Sequence, residues 1–180
     1  ANLDQCESQP ENACRINAEL PGEIANLSRK LGIKLAHIST DAVFDGVRGS
    51  YSEEDQPNPL GVYAQTKLAG EKNVSSNYPQ ALIARVNFYG YSISGQRSLS
   101  EFFLHNLMAK QPMNGFSDVF FCPLLANDLA AVLIEMLDAG LEGIYHTVSA
   151  ECLSKYDFGC RIAHKFGLDE TLIKSVSVKE

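Results

Sequence analysis

The sequence predicts an α/β layered fold on a largely parallel sheet, and three observations carry that prediction. Short apolar runs that end in polar residues alternate with longer stretches whose apolar residues recur every three or four positions. Hydrophobic residues make up 45% of the chain and charged residues 21%, a balance that supports a sizeable core and lies outside the disordered class. The 180 residues suit one domain, or part of a larger one, at roughly 150 residues per domain.

Each element follows in order. From Pro10 to Leu31, Ala13, Ile16, Leu20, Ile24 and Leu27 recur at helical spacing, and Gly32 supplies a stop. Ile33 to Ile38 reads as a buried strand emptying into Ser39-Thr40-Asp41. A polar loop continues through Asp45-Gly46, Gly49 and Pro57-Asn58-Pro59, in which Glu53, Glu54 and Asp55 read as solvated. A helix is expected over 61–77 and a strand over Ala81 to Val86. Helices follow at Leu99 to Lys110 and Asn127 to Ala139, with short strands at Val119 to Cys122 and Ile144 to Val148. Ser154-Lys-Tyr-Asp has the S-x-x-D form of a helix start, Phe158, Ile162 and Phe166 share one face, and Gly167 is the stop.

Composition removes several function classes. The net charge of −7 and the lack of a basic run argue against a phosphate-backbone footprint, so no nucleic-acid partner is expected. The longest apolar stretches, such as Leu129 to Ile134, fall far short of the ~20 residues of a membrane-spanning helix. Five widely spaced cysteines without C-x-x-C suggest neither a disulfide framework nor a zinc site, and Cys122, among Phe120, Phe121 and Leu124, reads as an inert buried thiol. His37, His105, His146 and His164 have no metal-ligand spacing, so no metal is expected, and His146 beside Tyr145 reads as structural. A reducing cytoplasm is the expected location.

Ligands of such sheets sit outside the carboxyl ends of the strands, which directs attention to Ser39-Thr40-Asp41 and to Asn87-Phe88-Tyr89-Gly90. Between them Tyr63 and Lys67 stand four apart, on one helix face about 6 Å apart along the axis. An ammonium beside a phenol favours the phenolate, so the pair suits proton transfer, and a threonine hydroxyl at a strand end can orient the same substrate oxygen.

The stretch from His37 to Gly46, then Tyr51-Ser-Glu53-Glu-Asp55-Gln-Pro57-Asn-Pro59 and Tyr63-Ala-Gln-Thr-Lys67-Leu-Ala-Gly70-Glu71, resembles the extended short-chain dehydrogenase/reductases. Within them it is most similar to the dTDP-4-dehydrorhamnose reductase branch, with its S-T-D-x-V-F-D-G, Y-x-E-x-D-x-P-x-P and Y-x-x-x-K-x-x-G-E segments. Weaker similarity runs through Asn2 to Glu7, Asn17, Arg85 to Gly90 and Pro123. The resemblance implies a Rossmann-like, doubly wound parallel sheet with a small C-terminal substrate lobe. It implies that residues 1–90 are the later part of an NAD(P)-binding domain carrying the catalytic segment, and that 91–180 mix lobe elements with the last sheet elements.

By the same resemblance, Tyr63 would protonate a sugar keto oxygen, Lys67 would lower its pKa and hold the nicotinamide ribose, and Thr40 would hydrogen-bond the reacting oxygen. Asp41 and Phe88 would face substrate, and Asn17, Val86 and Asn87 would lie near the cofactor, NADP or NAD. The implied reaction is reduction of a 4-keto nucleotide-sugar, with a homodimer left open. Ala42 replaces the family's tyrosine, Phe88 stands at its tryptophan, and Asp118 to Leu124 loses its Gln, Gly and Thr, which leaves the sugar itself undetermined. The regulatory beta subunit of methionine adenosyltransferase resembles the same branch, so a non-catalytic subunit is the alternative; retention of Thr40, Tyr63 and Lys67 together favours the enzyme.

The glycine pattern that cradles a dinucleotide pyrophosphate is absent. No two of the 13 glycines are two apart, and the pairs Gly46/Gly49 and Gly140/Gly143 lack a third glycine, at Ser52 and His146. Gly90 and Gly95 have P-loop spacing, but Gln96-Arg97 follows and excludes a Walker motif. With an opening at Ala1-Asn2-Leu3-Asp4, the expectation is a chain missing about two N-terminal βα units, on the order of 60 residues.

Overall fold

The structure is a computed structural model that describes residues 3–95 and 98–179. Asn2 of the upstream match and Gln96-Arg97 of the excluded Walker motif lie outside the described residues. In chain order the helices are α1 (Leu3–Ser8), α2 (Pro10–Cys14), α3 (Leu20–Leu31), α4 (Val62–Asn77), α5 (Leu99–Met108), α6 (Ala126–Asp138) and α7 (Lys155–Phe166). The strands are β1 (Ala36–Thr40), β2 (Leu82–Val86), β3 (Phe88–Tyr89), β4 (Met113–Phe116), β5 (Phe120–Phe121), β6 (Leu124–Leu125), β7 (Gly143–Thr147), β8 (Leu153–Ser154) and β9 (Ile173–Val176). Two compact units result: the residues up to Val86 with Ala130–Thr147, and Asn87–Leu129 with the residues from Val148 onward.

The first unit holds a parallel sheet in the order β1-β2-β7, with Thr40 opposite Val86 and Val86 opposite Thr147. All five residues of β2 are buried, as a strand with neighbours on both edges requires. The helical run expected from Pro10 to Leu31 is present, with a π-helical turn at Arg15–Glu19. Pro21 has no N–H for the Asn17 carbonyl four residues back, and the helix widens there. Gly32 ends it in the left-handed conformation (φ 65°), with the Ile33 amide returning to the Ser28 carbonyl at 2.9 Å. Leaving that cap uses residues 33–35, so β1 begins at Ala36 and not at Ile33.

Helices α3 and α4 pack through small residues. Ala18, Gly22 and Ala25 are buried, and Ala25 meets Val74, Ala81 and Ile83, while Ile16, Leu20, Ile24, Leu27 and Leu31 stay exposed. Of the stripe that signals the helix in the sequence, Ala13 alone is buried within this unit.

In the second unit Ser98 and Glu101 form a capping box at the start of α5, and Ser154 caps α7 by accepting from the Asp157 amide. Phe103, Leu107, Phe121, Phe158, Ile162 and Ile173 lie in one core. Three two-stranded pairs frame it: β3 with β6 and β4 with β9, both parallel, and β5 with β8, antiparallel.

Two expectations are corrected. Cys122 is not an inert thiol but is disulfide-bonded to Cys152, 30 residues on, while Cys6, Cys14 and Cys160 are free. Spacing could not reveal the pair, because the antiparallel register of β5 and β8 is what brings the two cysteines together. Glu53 is not merely solvated: its carboxylate accepts the His146 amide at 2.8 Å and ties the loop before α4 to β7.

Candidate active site

The site is assembled where β1 ends. Ser39 and Thr40 are buried, and the Thr40 hydroxyl accepts from the Ala42 amide at 3.2 Å, capping a one-turn helix over Asp41–Val43. The same hydroxyl donates to the Asp41 carboxylate at 3.2 Å. Val86 is the sheet neighbour of Thr40 and is itself buried.

Tyr63 lies in the first turn of α4 and Lys67 one turn later, both half-buried. The Tyr63 phenol lies beside the Thr40 hydroxyl. Burial pushes the phenol above its ordinary pKa, the Thr40 hydroxyl offsets part of that, and the nearby Asp41 charge adds to it. The depressed phenol expected from Lys67 is thus not found in this chain. The Lys67 amine instead donates to the Ile38 carbonyl of β1 at 2.6 Å, and burial lowers its own pKa against the opposing charge of Glu71.

Asn17 reaches the same helix. Its amide donates to the Thr66 hydroxyl at 3.1 Å, and Thr66 donates to the Tyr63 carbonyl at 2.9 Å. The Asn17 carbonyl lies against Gly70, where a Cβ would collide with it, so the glycine of Y-x-x-x-K-x-x-G-E permits the contact between the π turn and α4.

Thr40, Asp41, Tyr63, Lys67, Asn17 and Val86 all belong to the first unit. Asn87 and Phe88 open the second; the Asn87 carbonyl accepts the Leu124 amide at 2.9 Å, and the Phe88 side chain is exposed.

Residue-by-residue reading missed the network beneath the site. Arg85 forms a buried ion pair with Glu71, donating through Nη2 at 2.8 Å and Nε at 3.0 Å, and Ser39 donates to the same carboxylate at 2.5 Å. The guanidinium also stands 5.1 Å over the Phe44 ring. A lone arginine inside the apolar run Ala81 to Val86 is the signal that could have revealed it, because a buried guanidinium requires a carboxylate. His37, beside Lys67 and Glu71, has a buried Nε2 without a hydrogen-bond partner, and burial takes its pKa down to about 4.

The second unit contains a cavity of about 530 Å³. Tyr89, Tyr91, Phe158 and Phe166 give it aromatic walls, Lys165 gives it a cation, and Arg161 lines it as an ion pair with Glu151. That combination suits a ligand with a flat ring and a negative group.

A family model described as the RmlD substrate binding domain matches residues 1–180. The chain is 37% identical over 179 residues to a probable low-salt glycan biosynthesis reductase, Agl14, of Haloferax volcanii, covering 97% of this chain and 59% of that protein. It is 32% identical over 183 residues to methionine adenosyltransferase 2 subunit beta of Rattus norvegicus, covering 97% and 54%. Among solved structures, dTDP-4-dehydrorhamnose reductase of Bacillus anthracis in complex with NADP superposes with a TM-score of 0.91 at 26% identity, over 99% of this chain and 63% of that one. The chain thus spans between half and two thirds of the length of these relatives. From the parallel sheet, the helix carrying Tyr63 and Lys67, and a match along the whole length, it follows that the chain belongs to the RmlD substrate binding domain family, within the extended short-chain dehydrogenase/reductases.

Proposed function

We propose that the chain carries the proton-transfer and substrate-binding parts of an NAD(P)-dependent reductase of a 4-keto nucleotide-sugar. The observation that carries this reading is the placing of the half-buried Tyr63 phenol beside the Thr40 hydroxyl at the carboxyl end of β1, one helical turn from Lys67. A phenol held protonated by burial can give its proton to a keto oxygen as negative charge develops there. Thr40 would turn its single hydroxyl proton from the Asp41 carboxylate to the same oxygen when substrate binds.

The residues present fit one end of a nicotinamide cofactor. Lys67 has donors left beyond its bond to Ile38, and with the Tyr63 hydroxyl it would hold the two ribose hydroxyls. Asn17, Val86 and Asn87 are the further residues proposed for the cofactor side. When bound, the nicotinamide supplies a hydride to the carbonyl carbon. NADP and NAD both remain within the proposal, because the residues that choose between them follow the glycine pattern this sequence lacks. Phe88 is the proposed contact for the nucleotide part of the substrate. A cytoplasmic location and a homodimer belong to the same proposal.

The 32% identity to methionine adenosyltransferase 2 subunit beta supports a second reading, a non-catalytic regulatory subunit. The full-length protein separates the two. NADPH oxidation with a panel of dTDP-4-keto sugars is the expected outcome of the first. No turnover with any keto sugar, together with co-purification of a methionine adenosyltransferase, would replace it by the second.

A further inference from the structure

We propose that Cys122 and Cys152 form a reversible thiol–disulfide site that braces one wall of the cavity in the second unit. The paired residues of β5 and β8 are Phe120 with Ser154 and Phe121 with Leu153, so Cys122 and Cys152 are the next facing pair of the same antiparallel ladder. The disulfide therefore closes a ladder of only two residue pairs, flanked by the bonds from the Lys155 amide to the Val119 carbonyl (3.0 Å) and from the Ser149 amide to the Cys122 carbonyl (3.1 Å). So short a ladder has little hold of its own.

The cavity depends on that ladder. Pro123, Leu125, Ser149, Glu151 and Leu153, all within three residues of the two cysteines, line it. Pro123 leads into β6, whose partner β3 carries the lining residue Tyr89. Glu151, next to Cys152, holds the Arg161 guanidinium with two bonds of 2.8 and 2.5 Å. Opening the disulfide frees the segment that carries both Glu151 and Leu153.

The site is open to exchange, since Cys152 is exposed and Cys122 only half-buried. The reductant is a dithiol, small or protein-borne. Its thiolate attacks one sulfur, the S–S bond breaks, and the mixed disulfide resolves through its second thiol. Two electrons and two protons pass to Cys122 and Cys152, and the dithiol leaves as a disulfide. Oxidation by a low-molecular-weight disulfide such as oxidised glutathione reverses the steps. Reversible pairs of this kind are the ones met in reducing compartments. The inference does not depend on the proposed reductase activity.

Thiol counting and hydrogen exchange on the full-length protein test it. With oxidised glutathione, peptide mapping of alkylated protein should find Cys122 and Cys152 protected and Cys6, Cys14 and Cys160 modified, and with dithiothreitol all five modified. Amides of 119–125 and 149–155 should exchange at least tenfold faster after reduction, with 36–40 and 82–86 unchanged, and should slow again on reoxidation. The paired substitution Cys122→Ser with Cys152→Ser should exchange at the fast rate in both buffers. Modification of Cys122 and Cys152 in the oxidising buffer, protection that survives dithiothreitol, or redox cycling without a change in exchange would each overturn the proposal.

Discussion

Tyr63 keeps its proton because burial opposes the phenolate more than the Thr40 hydroxyl favours it. The proposed acid should therefore stay protonated and neutral through neutral and mildly alkaline pH. Its folded pKa lies above the ordinary value of about 10, so the rate of ketone reduction should be flat up to about pH 9 and fall as pH rises through that value. A kcat/KM profile measures this, and a fall that begins near neutrality would show a phenol activated by Lys67 instead. His37 works through stability. Its pKa drops from 6.5 to about 4 on folding, with the Lys67 cation and the Glu71 carboxylate facing it, so the unfolded chain binds more protons between those values. Stability is fully present above pH 6.5 and is lost as pH falls toward 4, on the order of 2 to 3 kcal/mol, and denaturant titrations of the His37→Gln variant should lack that loss. Thr40, Tyr63 and Lys67 were legible as a motif in the sequence. The direction of the Tyr63 pKa was not, because spacing along a helix does not reveal that the Lys67 amine turns to the Ile38 carbonyl.

The seat of α4 is set by Gly70 and Glu71 more than by its apolar residues. Gly70→Ala would drive a methyl into the Asn17 carbonyl and should cost about 1–3 kcal/mol in chemical denaturation. Glu71→Gln leaves the Arg85 guanidinium buried without its counter-charge and should cost about 3–5 kcal/mol, whereas Arg161→Ala, which breaks an exposed and solvent-screened pair, should leave stability nearly unchanged. Equal losses from the two would mean that burial does not govern their strength. Apolar faces marked α6 and α7 and a short buried run marked β2, and α4, α5, α6, α7 and β2 all start within two residues of their sequence positions. The short ladders β3–β6 and β4–β9 were not readable. Two to four residues carry no period, and Met113 to Phe116 is strand only because Ile173 to Val176 pairs with it.

Within the whole molecule, the chain leaves the sheet after Val86 and returns for β7, so residues far apart in sequence share one unit. Alternation of strands and helices made the parallel α/β architecture legible, but it could not say which strand of the second half pairs with β2. The helix patterning was misleading about burial: of the periodic residues Ala13, Ile16, Leu20, Ile24 and Leu27, Ala13 alone is buried, while the small residues Ala18, Gly22 and Ala25 make the contacts. The lack of a glycine cradle for the pyrophosphate predicts that the 180-residue chain alone binds NADPH with a Kd well above micromolar, as a fluorescence titration would read. The most direct test of the proposed chemistry is the steady-state reduction of a dTDP-4-keto sugar by the full-length protein and its Tyr63→Phe variant. The account predicts a fall in kcat of at least about 100-fold with the fold and NADPH binding retained. An unchanged kcat in Tyr63→Phe would contradict it.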